Sequence, residues 1–110
     1  MIGVDVCSVE RIKTVWLKNK KQFEERLLTR TERAAEKKWT AEKLARRWAL
    51  KEATAKALGT GIGARYGFHD IQTGHDAHGR PVISVQGFEG IQASVSDDLG
   101  IAVAFVLINE

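Results

Sequence analysis

The sequence predicts an α+β fold: one N-terminal strand, a run of helices, then antiparallel strands. Three observations predict it. Residues 2–6, Ile-Gly-Val-Asp-Val, are short, apolar and β-branched. Residues 8–58 place apolar side chains at three- and four-residue spacing between capping residues. Residues 67–108 switch to alternating or continuous apolar runs broken by Gly- and Asp-containing turns. At 110 residues the chain has the size of one domain, so residues 1–110 are expected to form a single domain.

The elements follow in order. Ser8 is a good N-cap, and Val9, Ile12, Val15 and Trp16 form the stripe of a first helix that Asn19-Lys20-Lys21 ends. Phe23 to Leu28 give a short second helix. Thr31 is taken as the cap of a further turn or two. Thr40 caps the longest helix, over residues 41–58, and Gly59 ends it as the glycine just past the last turn. Gly59-Thr60-Gly61-Ile62-Gly63 is a flexible connector. Residues 67–75 and 81–86 pair as a hairpin around the turn 76–81. Residues 91–96 and 101–108 form a second strand pair, turning at 96–100. The run Ile101-Ala102-Val103-Ala104-Phe105-Val106-Leu107-Ile108 is apolar on both faces and is expected to be covered on both.

Composition narrows the function classes. Apolar residues are 44% and charged residues 28%, which excludes a disordered chain. No apolar stretch approaches the roughly 18 residues of a membrane span, so no membrane partner is expected. The start carries Asp5 early and no basic segment, unlike a secretory leader. One cysteine, Cys7, allows no internal disulfide and fits a reducing, cytoplasmic compartment. Charge is unevenly spread: residues 11–51 hold 14 Lys and Arg against 5 Glu, a net of +9, within a chain of net +3. Such a basic segment suits an anionic partner, whether a nucleic acid, a phosphorylated small molecule or an acidic protein, or it is a set of solvated helix faces.

Two carboxylates sit where the pattern calls for apolar side chains. Asp5 interrupts the first strand. Glu52 lies four residues after Trp48, on the stripe Ala41, Leu44, Ala45, Trp48, Ala55. A carboxylate turned inward costs several kcal/mol unless it is paired or bound to a metal. The two acids therefore indicate either buried ion pairs or a divalent cation, and hard oxygen ligands suit Mg²⁺. Lys56 follows Glu52 by one helical turn, and a cation beside a metal ligand is what a pyrophosphate requires. Gly59, Thr60 and Gly61 offer backbone amides close by, although a phosphate-binding Gly-x-x-x-x-Gly-Lys-Ser/Thr loop is absent. A small basic nucleic-acid-binding protein would explain the Lys and Arg content but not Asp5 and Glu52.

These residues carry a resemblance. Ile2-Gly-Val-Asp-Val-Cys-Ser-Val-Glu-Arg-Ile12 resembles the first motif, Gly-Ile/Val-Asp-Ile/Val followed by Arg, of the 4′-phosphopantetheinyl transferases. Arg47-Trp-Ala-Leu-Lys-Glu-Ala-Thr-Ala-Lys-Ala-Leu-Gly-Thr-Gly-Ile62 resembles their second, Trp/Phe-Ala-x-Lys-Glu-Ala-x-x-Lys-Ala-x-Gly. The likeness extends over nearly the whole chain and fits the small members of the family, the holo-[acyl-carrier-protein] synthase type.

The resemblance implies transfer of the 4′-phosphopantetheine arm of coenzyme A to a serine of apo acyl carrier protein, with release of adenosine 3′,5′-bisphosphate. It implies Mg²⁺ on Asp5 and Glu52 and coenzyme A phosphate on Lys56. It also implies a homotrimer with active sites between subunits, and an acidic carrier docking on the basic first helix. Arg11, Lys13 and Lys18 lie on that helix and Arg26 on the next.

One position departs from the family pattern. Where many small members have His in the last hairpin, this chain reads Ser94-Val95-Ser96-Asp97-Asp98, so Asp97 becomes the candidate general base. A catalytically weakened homologue stays open on that account. His78 reads as a solvated turn residue. His69 and His75 share a face of a strand-like stretch but lack further ligands for zinc. Cys7 reads as a small buried hydrophobe, and Trp16, Trp39 and Trp48 as core or interface residues.

Overall fold

The computed structural model describes residues 1–109. Its elements are β1 (Ile2–Ser8), α1 (Val9–Lys18), α2 (Lys20–Leu27), α3 (Arg30–Ala34), α4 (Ala41–Ala57), a 3₁₀ turn (Phe68–Asp70), β2 (Ile71–His75), β3 (Pro81–Val85), β4 (Ile91–Asp98) and β5 (Ile101–Ile108). The strands form two antiparallel sheets, one ordered β1-β5-β4 and one made of β2 and β3. The α+β class and the order strand, helices, strands are as the sequence predicts.

Boundaries differ at the short helices, and the caps explain why. Asn19 leaves α1 in an extended conformation and its side chain accepts from the Gln22 amide, so the same residue ends α1 and starts α2 at Lys20. Helix α3 is capped by Thr29 rather than Thr31. Thr29 and Glu32 form a reciprocal capping box, a spacing that places the start two residues earlier. Ser8 and Thr40 cap α1 and α4 as expected, each accepting from the third amide of its helix. Strand β4 runs on to Asp98, which shortens the turn to Leu99 and Gly100, both at positive φ. His69 falls in the 3₁₀ turn instead of a strand, so it does not share a strand face with His75.

Helix α4 lies across the three-stranded sheet and is buried around most of its circumference. Its Ala49, Ala53 and Ala57 share one core cluster with Ala102 and Ala104 of β5, all fully buried or nearly so. The closest approach is at Gly3 of β1. A Cβ there would lie 2.0 Å from the Ala53 carbonyl oxygen and 2.7 Å from the Ala57 nitrogen. Backbone therefore rests on backbone, and only glycine permits it.

Pairing fixes which residues of β1 face the helix. Gly3 lies opposite Val106, Asp5 opposite Ala104 and Cys7 opposite Ala102. Paired residues share a face, so Asp5 points to the α4 side. The other face carries Ile2, Val4, Val6, Ile101, Val103 and Phe105, all exposed. Within one chain, then, strand 101–108 is covered on one face only, and the expected second cover is not supplied by the chain itself. No helix among the described residues is long and apolar enough to cross a membrane.

Candidate active site

Asp5, Glu52 and Lys56 come together. They line one cavity of about 290 Å³ with Val6, Cys7, Arg11, Ile12, Val15, Phe23 and Trp48. Strand β1 contributes Asp5 from its helix-facing side. Helix α4 contributes Trp48, Glu52 and Lys56 at successive four-residue steps, which a helix stacks on one face. Helices α1 and α2 close the opposite wall with Arg11, Ile12, Val15 and Phe23. The charged groups gather on the β1–α4 side and at Arg11; the rest is apolar.

Lys56 donates to Asp5 Oδ1 at 3.0 Å and to the Val4 carbonyl at 3.2 Å. Burial and the neighbouring Asp5 charge push the Glu52 carboxyl above its ordinary value, and Lys56 offsets only part of this. Burial, with Asp5 adding, pushes the Cys7 thiol up to about 11, so Cys7 is a neutral wall residue and not a nucleophile. A carboxylate whose proton affinity is raised by a second carboxylate beside it favours a cation between the two. Among the described residues no group of three or more His, Cys, Asp or Glu side chains forms a metal site. Two carboxylates with water and phosphate oxygens completing the shell is a Mg²⁺ donor set, so the residues fit that ion.

The remaining candidates are placed as follows. Gly59 ends α4 at positive φ, as its cap role requires. The Gly59 amide donates to the Lys56 carbonyl, and the Thr60 and Gly61 amides both donate to the Ala55 carbonyl. Nothing lies within 4 Å of a Cβ built at Gly59 or Gly61, so the loop is open to close approach while its amides serve the helix end. Arg11, read as a docking residue, lines the cavity itself. Lys13 is exposed on α1. Lys18 and Arg26 line a groove with Val15, Asn19, Gln22 and Phe23 that runs into the cavity through Val15 and Phe23.

Asp97 is not in this cavity. It pairs with Ala102, which pairs with Cys7 on its other side, so Asp97 stands two strands from β1, roughly 10 Å across the sheet. There it forms an ion pair with Arg46, near the opposite end of α4 from Lys56.

Sequence reasoning missed a buried polar network behind the site. Lys51, Glu32 and Arg47 are buried and joined: Lys51 Nζ lies 2.7 Å from Glu32 Oε1, and Glu32 Oε2 accepts from the Thr73 amide and hydroxyl. Arg47 donates to the Thr73 carbonyl and hydroxyl oxygens and sits over the Trp39 ring. Arg47 and Lys51, four residues apart and so on the helix face that also carries Leu44 and Leu58, were the available signal. Their partners lie on distant elements that only the fold brings in. His69 Nε2 lies 2.7 Å from the Glu25 carbonyl.

Residues 1–104 match the model of the 4′-phosphopantetheinyl transferase superfamily. The chain belongs to that superfamily. It is 42% identical to the holo-[acyl-carrier-protein] synthase of Geobacillus sp. (strain WCH70), covering 97% of this chain and 93% of that one. It is 35% identical to the enzyme of that name from Vibrio atlanticus, covering 97% and 94%. Its fold superposes on the crystal structure of the Helicobacter pylori holo-[acyl-carrier-protein] synthase in complex with coenzyme A. The TM-score is 0.92 at 34% identity, over 99% of this chain and all of the other. The synthase from Bacillus anthracis, in complex with coenzyme A (3′,5′-ADP), gives a TM-score of 0.87 at 35% identity, covering 97% and 93%. The cavity described above is thus built on a fold shared with two synthases solved in complex with coenzyme A.

Proposed function

We propose that this chain, as a single transferase domain over residues 1–110, moves 4′-phosphopantetheine from coenzyme A to a serine of apo acyl carrier protein and releases adenosine 3′,5′-bisphosphate. The observation that carries the reading is the meeting of Asp5, Glu52 and Lys56 in one cavity, on the fold of the synthases. Asp5 and Glu52 would hold Mg²⁺, which when bound neutralises diphosphate charge and stabilises the leaving bisphosphate. Lys56, half exposed and paired with Asp5, would offer its ammonium to phosphate oxygen. Transfer at the β-phosphorus then needs alignment and charge neutralisation more than covalent help.

The apolar wall of Val15, Phe23 and Trp48 excludes water around the reacting groups, and the Lys18–Arg26 groove leads an acidic carrier to the cavity mouth. The serine proton has no acceptor at Asp97 within one chain. The reading therefore includes a cytoplasmic homotrimer, closed over the exposed face of β1 and β5, in which Asp97 of one copy serves the cavity of the next. The uncovered Val4, Val6, Val103 and Phe105 support such closure, since a soluble monomer rarely leaves so many apolar side chains together.

The experiment is mass spectrometry of apo acyl carrier protein incubated with coenzyme A, Mg²⁺ and this protein. A gain of one phosphopantetheine arm on the carrier is expected. An unchanged carrier mass overturns the reading. For the base, mixing Asp97→Asn and Glu52→Gln subunits should restore activity that neither has alone; no restoration removes Asp97 from the role.

A further inference from the structure

Lys51 stands next to Glu52 in sequence but on the other side of α4, with its side chain fully buried. An ammonium has three protons to donate and no oxygen to accept with. All three are used, and each goes to a different element: 2.8 Å to the Leu27 carbonyl at the end of α2, 2.7 Å to Glu32 of α3, and 2.8 Å to the Phe68 carbonyl of the 3₁₀ turn. Leu27 closes α2, so its carbonyl has no partner within its own helix.

Two of these elements, α2 and the 3₁₀ turn, carry the rings that pack on Trp48 of α4. Phe23 of α2 stacks on Trp48 with ring centroids 6.2 Å apart and planes 7° from parallel, and Phe68 packs on Trp48 at 4.9 Å, tilted by 47°. Trp48 and Phe23 line the cavity, and Phe23 also lines the Lys18–Arg26 groove. A buried ion pair is a poor source of net stability, since a well-packed apolar pair of similar volume does as well. What an apolar pair does not do is hold three acceptors on three elements at one point.

We propose that Lys51 is a positioning residue: its buried ammonium sets where α2 and the 3₁₀ turn sit against α4, and so fixes the Phe23–Trp48 wall on which the carrier is received. The inference rests on the functional reading above. Asp5, Glu52 and Lys56 are held by the direct contact of β1 with α4 and do not depend on this clamp. Loss of the clamp therefore acts on the carrier and spares coenzyme A.

The test is Lys51→Met, which keeps chain length and burial and removes the three donors. Steady-state transfer is measured at a temperature where the variant is fully folded, beside Ile108→Val, a core variant remote from the clamp. Expected is a rise of about tenfold in the KM for apo acyl carrier protein with the coenzyme A KM within about twofold of wild type. Loss of the Trp48 signal in near-ultraviolet circular dichroism, assigned by Trp48→Phe, should accompany it. An unchanged carrier KM, or the same rise in Ile108→Val, overturns the proposal. If Lys51→Met does not fold, the double variant Glu32→Gln/Lys51→Met removes the carboxylate together with the ammonium, leaves Arg47 on its Thr73 hydrogen bonds, and is read by the same two criteria. Wild-type protein that fails to modify the carrier defeats the functional reading instead; active wild type with an unaltered variant defeats only the role of Lys51.

Discussion

Lys56 Nζ lies 3.0 Å from Asp5 Oδ1 across a sequence separation of 51 residues, joining the first strand to the last turn of the longest helix. The contact is possible because β1 and α4 touch backbone to backbone at Gly3. It leaves Glu52 as the carboxylate of the pair without a cation of its own, which is why burial and Asp5 together raise its proton affinity.

Glu52→Gln should consequently raise the melting temperature of metal-free protein near neutral pH while lowering transfer by about 100-fold or more. The sign follows from the raised carboxyl: in the folded state the ionised form is disfavoured, so removing the charge relieves a cost present whenever Glu52 is ionised. Asp5→Asn should lose transfer as well but gain no stability, because it deletes the Lys56 partner. Calorimetry with and without Mg²⁺ checks both; a Glu52→Gln protein less stable than wild type without metal contradicts the charge assignment.

On the open face of the sheet, Val103→Glu places a carboxylate among Val4, Val6 and Phe105. Subunit association should fall and transfer with it, while far-ultraviolet circular dichroism stays that of the folded chain. Sedimentation at micromolar concentration decides the matter. An unaltered, active assembly would show that closure uses another surface.

Arg11 and Lys13 are neighbours on α1 with different surroundings, the first at the cavity and the second in solvent. Lys13→Glu should raise the carrier KM several-fold, and added salt should shrink the effect, because an exposed pair contributes only about 0.2–1 kcal/mol and reversal about doubles it. Arg11→Glu should depress turnover with both substrates. Lys20 and Lys21 open α2, with Lys20 resting over the Trp16 ring 4.8 Å from its centroid, so their reversal is a control for diffuse attraction. Equal losses at Lys13, Lys20 and Lys21 would argue against a docking helix.

Gly3→Ala tests the packing beneath the site. The added methyl meets fixed backbone at 2.0 Å, so β1 must move from α4 at a cost of about 1–3 kcal/mol or more. In a domain this small that lowers the melting temperature by roughly 4 °C or more. Transfer in the protein that remains folded should fall too, because Asp5 rides on the same strand. Full activity in a stable Gly3→Ala protein would show that the contact is not what places Asp5.

Much of this was legible in the chain. Ser8 and Thr40 announce α1 and α4 because a cap followed by a periodic apolar stripe is a local signal, read without knowing the fold. Asp5 and Glu52 betray themselves by interrupting such patterns. Thr29 was legible too, through its spacing to Glu32, although Thr31 competes for the same role two residues on. The clamp at Lys51 was not, because its three acceptors lie on α2, α3 and the 3₁₀ turn, and a lysine beside a glutamate reads locally as an ordinary solvated pair. Nor did the pattern show that Asp97 meets Arg46, a partner 51 positions away.

Acid should find that hidden cluster first. Burial alone would raise the Glu32 carboxyl, but the Lys51 hydrogen bond and charge, with Thr73 and Thr29, outweigh it and hold it below its ordinary value. A lowered carboxyl contributes stability that is present above the ordinary carboxylate range and is lost as the pH falls through and below it. Glu32→Gln should flatten the acid limb of a stability–pH curve and converge with wild type at the lowest pH. Parallel curves, with a constant gap down to strong acid, would contradict the pairing.

The two walls of the cavity are fastened by different means, and they answer differently to change. Gly3 against Ala53 and Ala57 makes one wall a fixed anvil: no side chain can be added at Gly3 without moving main chain. The facing wall hangs on side chains alone, on the ring stack of Phe23, Trp48 and Phe68 and on what lies behind it. Exchanging α1 and α2 for those of a relative would therefore retune which protein is admitted while the anvil keeps striking the same cosubstrate, so partner choice and bond-breaking can be altered one without the other.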